Sequence, residues 1–380
     1  MRLAMSPTRR SRWARVLLAV LAMLTVACSE RGPTLSGAAG TTVPSTPASG
    51  PLPEGCARAA PPATAAPVAF VAGGRAWAAS ADGRHLWCLF EVRRPGPFLW
   101  GPRGDRVVLD GLEVRGVGAP VWRPGRTIQP VSVTWLGPSG NALAFVSPGG
   151  LNLEWASLGS INLRELTPLR GVKYQAVAAH PSGRALAFAV DRGGSSEIWM
   201  ATDSGSGPVR LVAGRRARYG PLAFSIAGTA LYYGVRLPDG ARRVEVFSLT
   251  ESTRLAPAWS GDRNVLAIVV RRDRAGAQLV VDTGSGCEDS RADLSGLASS
   301  AGRPLLPAAS APTSAAGWLD TRRVLVAEGR CEGPFDLWVV DAGGGGEPVL
   351  IARGVDRGAV RRPDPRPAPP APDLAALSGS

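Results

Sequence analysis

A repeated strand–turn–strand unit is the feature that most restricts how this chain can fold. Each copy has an apolar strand, a tight turn rich in Pro, Gly or Asp, and a second apolar strand. Proline fixes φ and glycine tolerates a positive φ, so such turns join neighbouring antiparallel strands. A bulky residue such as Trp135 or Trp318 recurs at the matching place in five copies. The six copies lie at 98–109, 133–145, 177–188, 222–233, 258–268 and 317–326.

The second half of the unit also repeats. A third apolar strand ends at Asp203, Asp282 and Asp341, and a Gly- or Ser-rich turn follows each of them. Four strands in about 40–50 residues form one blade of a β-propeller, so the pattern predicts an all-β propeller. The step of 59 residues from Trp259 to Trp318 is longer than the others, which predicts an insertion at 283–315.

The clearest copies are Trp135–Phe145, His180–Phe188 and Trp259–Ile268. These segments resemble the WD-like repeats of TolB-like six-bladed β-propellers. The resemblance implies six four-stranded blades over residues 68–354, with protein binding as the common role. Residues 68–90 also have strand character, and we expect them to pair with the C-terminal strands and close the ring. An open β-sandwich or solenoid is the alternative.

The N-terminus predicts export. Five arginines and no acid precede the apolar run Val16–Ala27, which is too short to span a bilayer and is typical of a secretory signal. Leu24–Cys28 resembles the lipobox of bacterial lipoproteins, which implies cleavage before Cys28 and a lipid on its sulfur. We therefore expect a lipoprotein signal peptide at 1–27 and a protein that is extracytoplasmic and lipid-anchored to the bacterial cell membrane. The alternative is an ordinary signal peptide with a chance cysteine.

Two segments have the composition of disordered chain. Residues 28–67 are rich in Pro, Ala, Gly and Thr, and residues 355–380 are rich in Pro. Such sequences bury too little apolar surface to offset the entropy of ordering. We expect the first segment to be a flexible tether and the second a disordered tail.

The number of cysteines in an exported chain points to disulfides. With Cys28 lipidated, an even number remains, and even numbers in exported proteins indicate disulfides. Order along the chain suggests Cys56 with Cys88 and Cys287 with Cys331, although four cysteines allow three pairings. The chain has no CxxC spacing, which disfavours zinc and thioredoxin-type redox chemistry.

The sequence contains few candidates for catalytic residues. The two histidines, His85 and His180, lie in different contexts, and His180 takes the place of a turn-capping residue. The sequence has neither a Gly-x-Ser-x-Gly elbow nor a phosphate loop. The recurring Asp residues end strands, where Asp bonds turn amides. We therefore predict no enzyme activity, no catalytic residue, no metal and no cofactor.

Charge is the one pattern that suggests a binding surface. The chain carries a formal charge of +13. In a propeller, loops that enter the first strand share a face with loops that join strands two and three, and arginines concentrate in these loops. A focused positive field attracts anions, and guanidinium groups suit carboxylates and phosphates. A solvated surface from an arginine-rich genome is the alternative. The candidate binding-face residues are Arg215, Arg216, Arg218, Arg242, Arg243, Arg271, Arg272 and Arg274.

Together these features predict an exported, membrane-anchored lipoprotein with a non-catalytic propeller that acts as a protein- or ligand-binding scaffold in the cell envelope. Its partners would be the membrane, through the lipid on Cys28, and an acidic protein, an anionic envelope polymer or anionic lipid headgroups. Nucleic acid is not expected for an exported chain. The alternatives are a propeller enzyme, a hydrolase or lyase with a site in the central channel, and a small-molecule sensor. The sequence makes no prediction of oligomeric state.

Overall fold

The computed structural model of the chain describes residues 56, 61–93, 98–160, 162–166, 169–203, 207–271, 278–296, 299–331, 333–361 and 369–377. The predicted signal peptide, Cys28 and most of the predicted tether lie outside these residues.

The described strands form seven antiparallel sheets. Six of them contain four consecutive strands, one of these six has an additional short strand, and the seventh combines the first three strands with the last one. The chain begins with three strands of blade 1: β1 (Val68–Ala72), β2 (Arg75–Ala79) and β3 (Leu86–Glu91). Blade 2 contains β4 (Leu99–Trp100), β5 (Arg106–Val108), β6 (Val114–Gly116) and β7 (Ala119–Trp122). Blade 3 contains β8 (Ser132–Leu136), β9 (Ala142–Val146), β10 (Leu153–Ser157) and β11 (Leu163–Glu165).

The remaining blades follow in chain order. Blade 4 contains β12 (Lys173–Ala179), β13 (Ala185–Arg192), β14 (Ser195–Thr202) and β15 (Val209–Arg215). Blade 5 contains β16 (Arg218–Phe224), β17 (Ala230–Arg236), β18 (Arg242–Ser248), β19 (Thr253–Arg254) and β20 (Trp259–Gly261). Blade 6 contains β21 (Asn264–Val270), β22 (Leu279–Gly284), β23 (Arg291–Gly296) and β24 (Ser299–Pro304). Blade 7 contains β25 (Thr313–Trp318), β26 (Arg323–Gly329), β27 (Phe335–Asp341) and β28 (Val349–Val355).

The ring closes within blade 1. The last strand, β29 (Arg357–Val360), pairs with β1, from Val68 opposite Val360 to Val71 opposite Arg357. The expected pairing of residues 68–90 with the C-terminal end is therefore present. The prediction of six blades is wrong. Strands β1, β2 and β3 do not belong to any of the other six blades, and together with β29 they form a seventh blade. The boundary predicted at residue 354 is also too early, since β29 reaches Val360.

Apolar side chains fill every seam between adjacent blades. Seven hydrophobic clusters occupy the seven seams of the described ring. Successive residues of one strand serve opposite seams, because strand side chains alternate in direction: Val280 packs toward blade 7, and Val281 packs toward blade 5. This two-sided burial explains the continuous apolar runs, of which Ala185–Val190 is buried throughout.

Blade 6 departs from the predicted repeat. The segment 258–268 does not form a hairpin, because β20 pairs with β18 of blade 5 while β21 begins the next sheet. The predicted insertion at 283–315 is likewise wrong: most of it consists of β23, β24 and the start of β25. The long step to Trp318 arises because Trp259 lies at the outer side of blade 5 rather than in an inner strand.

Part of the predicted disordered tail packs on the ring. A short helix, α1 (Leu374–Leu377), contacts β14 and β15 of blade 4. Leu374 and Leu377 are 5% and 2% exposed and join the hydrophobic cluster between blades 4 and 5. Among the described residues no helix is long and apolar enough to cross a membrane. The short 3-10 helices at Asp110–Leu112, Pro148–Gly150 and Cys287–Asp289 complete the elements.

The two ends of the ring can be told apart by the inner strands, which are β29, β4, β8, β12, β16, β21 and β25 in blade order. Successive inner strands contact one another from β8 through β25 to β29 and β4. Trp135 Nε1 in β8 donates to Leu99 O in β4 at 3.2 Å, which completes the circle. We call the end at which the inner strands begin the entry face and the opposite end the exit face.

Candidate functional site

The candidate arginines of blade 5 lie in one rung at the entry face. Arg218 at the start of β16 is directly opposite Arg236 at the end of β17, and Arg236 is opposite Arg242 at the start of β18. Directly opposed side chains on antiparallel strands are close neighbours, and like charges there destabilise a sheet. Three guanidinium groups therefore lie close together, and their mutual repulsion does not favour the sheet.

Blade 4 contributes a second rung beside the first. Ser195 in β14 lies between Arg192 in β13 and Arg215 in β15. Arg216 follows directly and has a φ of 62°, in the left-handed region that costs a non-glycine residue roughly 1–2 kcal/mol. Its backbone N–H donates to Gly194 O at 3.1 Å, which ties the β15–β16 connection to the β13–β14 turn.

We call these residues of blades 4 and 5 the arginine crest. Most of them are among the candidate binding-face residues, and Arg192 and Arg236 join these through the strand register. The crest consists of Arg192, Arg215, Arg216, Arg218, Arg236, Arg242 and Arg243.

Few acids neutralise the crest. Arg218 Nη1 lies 3.2 Å from Asp191 Oδ2, and Arg242 Nε donates to the neutral Asn264 Oδ1 at 2.6 Å. Arg215 and Arg216 are exposed, and no acid of the described chain lies within ion-pair distance of either. Exposed unpaired guanidinium groups leave the local charge uncompensated and available to an anion.

A small cleft opens within the crest. It has a volume of about 190 Å³ and is lined by Asp191, Gly194, Arg216, Ala217 and Arg218. This volume is below the roughly 300–1,000 Å³ of sites that enclose a whole small ligand. The cleft is therefore of a size for one side chain or one anionic group.

Arg271, the described member of the third group of predicted arginines, does not lie with the crest. Arg271 follows β21, and Val269 in the same strand accepts a 3.0 Å hydrogen bond from Trp318 Nε1 at the far end of β25. Asn264, at the other end of β21, lies beside Arg242 of the crest. Arg271 is thus at the exit face, because its loop joins strands one and two of blade 6 and not strands two and three. Arg272 and Arg274 lie outside the described residues.

Two disulfides are present, and they join the cysteines that chain order suggested. Cys56 bonds Cys88 in the outer strand β3, with the Cα atoms 4.4 Å apart. Cys287 in the β22–β23 loop bonds Cys331 in the β26–β27 loop, with the Cα atoms 5.3 Å apart. The first disulfide attaches the N-terminal segment to blade 1, and the second joins blades 6 and 7. Cys28 lies outside the described residues, so its lipidation stays a prediction.

The segment after Cys56 is held at the exit face by a buried arginine. Arg361 is 2% exposed, and its guanidinium donates to the carbonyl oxygens of Gly104, Ala66 and Pro61 at 3.0–3.2 Å. It also stacks over Trp100, 5.1 Å from the ring centroid. Burial lowers the pKa of Arg361 to about 10, so it stays charged near neutral pH. The predicted tether therefore ends before Pro61, because this part of it packs on the propeller.

His180 has a structural role. It is 2% exposed; its Nδ1 accepts from Ser182 N at 3.1 Å, and its Nε2 lies 2.9 Å from Gly228 O in blade 5. These contacts require a proton on Nε2, which lets the ring join the turns of blades 4 and 5. Burial lowers its pKa, against a smaller opposite effect of the Gly228 bond. His85 lies in the β2–β3 connection and stacks on Trp87 at 5.9 Å.

Asp282 differs from the other two recurring acids. Asp203 and Asp341 form ion pairs with Arg184 and Arg322 across strand ends. Asp282 is buried between blades 6 and 7, and both of its carboxyl oxygens accept from Ala315 N at 2.9 and 3.1 Å. Burial raises the pKa of Asp282 to about 8, with a further increase from nearby Asp293. This acid bonds adjacent blades and is largely protonated at neutral pH.

The described residues contain no group of three or more His, Cys, Asp or Glu side chains that could hold a metal ion. A second cleft, of about 500 Å³, lies at the exit face of blade 7. Its charged residues pair with one another, Arg322 with Asp341 and Arg323 with Asp320, both at 2.7 Å. It therefore lacks the uncompensated charge that distinguishes the crest.

Comparison with known proteins identifies the fold. No family model matches the chain, and no curated protein matches it significantly. Among solved structures, it is similar to a structure from a study of two prolyl endopeptidases (TM-score 0.50, 16% identity, covering 76% of this chain and 47% of that one). It is also similar to a puromycin-hydrolysing peptidase of Mycobacterium tuberculosis (TM-score 0.50, 14% identity, covering 76% and 54%).

A third similar structure is TolB from Acinetobacter baumannii (TM-score 0.47, 14% identity, covering 80% of this chain and 68% of that one). At these identities the likeness concerns the β-propeller fold alone. The chain spans about half the length of the two peptidases, at 47% and 54%.

Proposed function

We propose that this protein is an exported, lipid-anchored binding module whose arginine crest holds an anionic partner in the cell envelope. The observation that carries the proposal is the gathering of arginines in two adjacent rungs of blades 4 and 5, with one ion pair among them. Exposed pairs of like charge do not stabilise a sheet. A ligand that bears several negative charges would turn this unfavourable arrangement into an attractive surface.

The rest of the ring supports a scaffold role. Seven seams are packed with apolar side chains, and disulfides fix blade 1 and the junction of blades 6 and 7. A rigid ring presents its loops in constant positions, which favours binding with little loss of conformational entropy. The hydrolase, lyase and sensor alternatives stay predictions from sequence without a specific observation in their favour.

The binding surface can be tested by photo-crosslinking in intact cells. A crosslinking residue at the exposed Pro238, in the β17–β18 turn beside the crest, should capture an envelope partner. The same residue at the exposed Thr321, on the exit face, should not capture it. Reversal of Arg215, Arg236 and Arg243 to Glu should abolish capture from position 238. Equal capture from both positions, or capture that survives the reversal, would contradict the proposal.

The anchor needs its own test, because binding and tethering are separable. Cells fed a fatty-acid probe should label the parent chain and not a Cys28→Ala variant. A Cys56→Ala variant, which removes a different cysteine, should still be labelled. Absence of label from the parent chain would remove the anchor from the proposal and leave the binding surface in place.

A further inference from the structure

We propose that the cleft between Gly194, Arg216 and Arg218 is a carboxylate subsite that receives an acidic side chain from a segment of a partner protein. The inference rests on the proposed function, since it names the ligand class that the arginine crest would take. The evidence is the local geometry of blade 4. The backbone conformation of Arg216, the contact that Asp191 makes and the size of the cleft each favour a bound carboxylate.

The backbone of Arg216 has a conformation for which glycine, and not arginine, is the favoured residue. Its φ of 62° favours glycine, yet the chain has Arg here, with the side chain exposed. Non-glycine residues in the left-handed region are concentrated at ligand-binding sites. The hydrogen bond from Arg216 N to Gly194 O fixes the turn, so the guanidinium projects from a defined base beside the cleft.

An internal carboxylate already binds at the edge of this cleft. Asp191 approaches Arg218 through one contact of 3.2 Å, and the Arg218 side chain is 72% exposed. A guanidinium has five N–H donors, so most of those on Arg218 are free for a second acceptor. Lys173 lies directly opposite Asp191 in the β12–β13 register. The cleft can take a further carboxylate between Arg216 and Arg218.

Size and charge favour a protein side chain over a phosphate. The volume of about 190 Å³ suits one Asp or Glu side chain rather than a whole small molecule. Asp191 lines the cleft, and its negative charge opposes a dianionic phosphate more strongly than a singly charged carboxylate. Neighbouring arginines of the crest stand on adjacent strands about 5 Å apart, so one acidic segment could contact several of them.

The experiment measures binding of three fluorescent peptides to the purified full chain: a Glu-rich peptide, its Gln counterpart and a phosphoserine counterpart. We expect the Glu-rich peptide to bind at least about tenfold more tightly than the Gln peptide, because a charged group at a preformed site contributes about a decade in affinity. Arg216→Gly should weaken the Glu-rich peptide about tenfold. Glycine accepts the left-handed φ, so the thermal midpoint should stay near that of the parent and show that the fold is intact.

Arg330→Gly is the matched control. Arg330 is exposed on the entry face of blade 7, so its loss changes net charge equally without touching the cleft. We expect this variant to bind the Glu-rich peptide as the parent does. If both variants weakened binding equally, binding would depend on net charge and not on the cleft, and the inference would be overturned. Tighter binding of the phosphoserine peptide than of the Glu-rich peptide would also overturn it. If crosslinking from position 238 still depends on the crest in either case, the proposed function stands while the subsite fails.

Discussion

His180 is buried and forms hydrogen bonds through both ring nitrogens, and burial lowers its pKa. The folded chain therefore keeps a neutral imidazole at a pH where the unfolded chain takes up a proton. The contribution of His180 to stability is present above its unfolded value of about 6.5 and is lost as the pH falls through the lower folded-state pKa. Acid should weaken the seam between blades 4 and 5 through this residue.

Urea unfolding between about pH 7.5 and 5.5 tests the effect. We expect the free energy of unfolding to fall by up to about 1.4 kcal/mol per pH unit, and His180→Gln to flatten that slope. His85→Gln is the matched control, because His85 is exposed and makes no link between blades. A slope that is the same in His180→Gln and in the parent would contradict the assignment.

Asp282 should act in the opposite direction. Burial raises its folded-state pKa to about 8, above the unfolded value, so the folded chain holds a proton that the unfolded chain releases. This contribution is fully present below about pH 4 and is lost as the pH rises through about 8. Asp282→Asn keeps an oxygen that can accept from Ala315 N and removes the titration.

Denaturant titrations at about pH 6 and pH 8 should therefore show a stability loss in the parent that is smaller in Asp282→Asn. The loss is limited to about 1.4 kcal/mol per pH unit. Asp262→Asn, at an exposed turn, should follow the parent. If the parent and Asp282→Asn keep the same pH dependence, the buried carboxyl is not the titrating group.

At the scale of the element, sequence predicted strands better than it predicted which sheet they join. Five of the six units were placed correctly, because each hairpin combines a turn signal with apolar strands on both sides. The unit at 258–268 has the same local pattern, yet its turn joins two blades instead of two strands of one. The local sequence pattern predicts a turn between two strands. Tertiary packing decides whether these strands form a hairpin within one blade or belong to two neighbouring blades.

The binding face illustrates the same limit. The loops of five candidates lie in regular blades, which places them at the entry face, while their role in binding stays a prediction: Arg215, Arg216, Arg218, Arg242 and Arg243. Arg271 was assigned wrongly, since a shift of one strand within blade 6 moves its loop to the exit face. The left-handed conformation of Arg216 was beyond sequence reasoning, because only glycine and asparagine give a residue-level signal for it.

The α1 segment yields a prediction at this scale. Composition predicted disorder for the tail, but two leucines three residues apart bury against the seam of blades 4 and 5. Leu377→Ala should reduce the free energy of unfolding by about 2 kcal/mol, the usual cost of truncating a buried leucine. Leu151→Ala is the control, because Leu151 is 73% exposed and should change stability by less than about 0.5 kcal/mol. Equal effects of the two changes would mean that α1 does not pack on the ring in solution.

At the scale of the whole molecule, the ring is completed by pairing the two ends of the propeller. This pairing covers the edge of β1, which would otherwise be free to pair with another chain. In this protein β29 supplies the inner strand of blade 1, and Arg361 directly follows it. The guanidinium of Arg361 bonds the segment before β1 and the β4–β5 turn, so a single residue joins the last strand, the first blade and the second.

Replacement of Arg361 should therefore weaken the ring as a unit. Arg361→Met removes the donor to three buried or half-buried carbonyl oxygens, and each unsatisfied group costs about 1–3 kcal/mol, so we expect a loss of roughly 3 kcal/mol or more. Arg361→Lys should recover only part of this, because an ammonium group lacks the planar fork that reaches several acceptors. Arg353→Met, on the exposed end of β28, should change stability by less than about 0.5 kcal/mol. Urea unfolding monitored by tryptophan fluorescence and far-ultraviolet circular dichroism measures both the loss of stability and the cooperativity of unfolding. If Arg361→Met unfolds at the same midpoint as the parent, the pairing of β1 with β29 closes the ring without a contribution from the guanidinium.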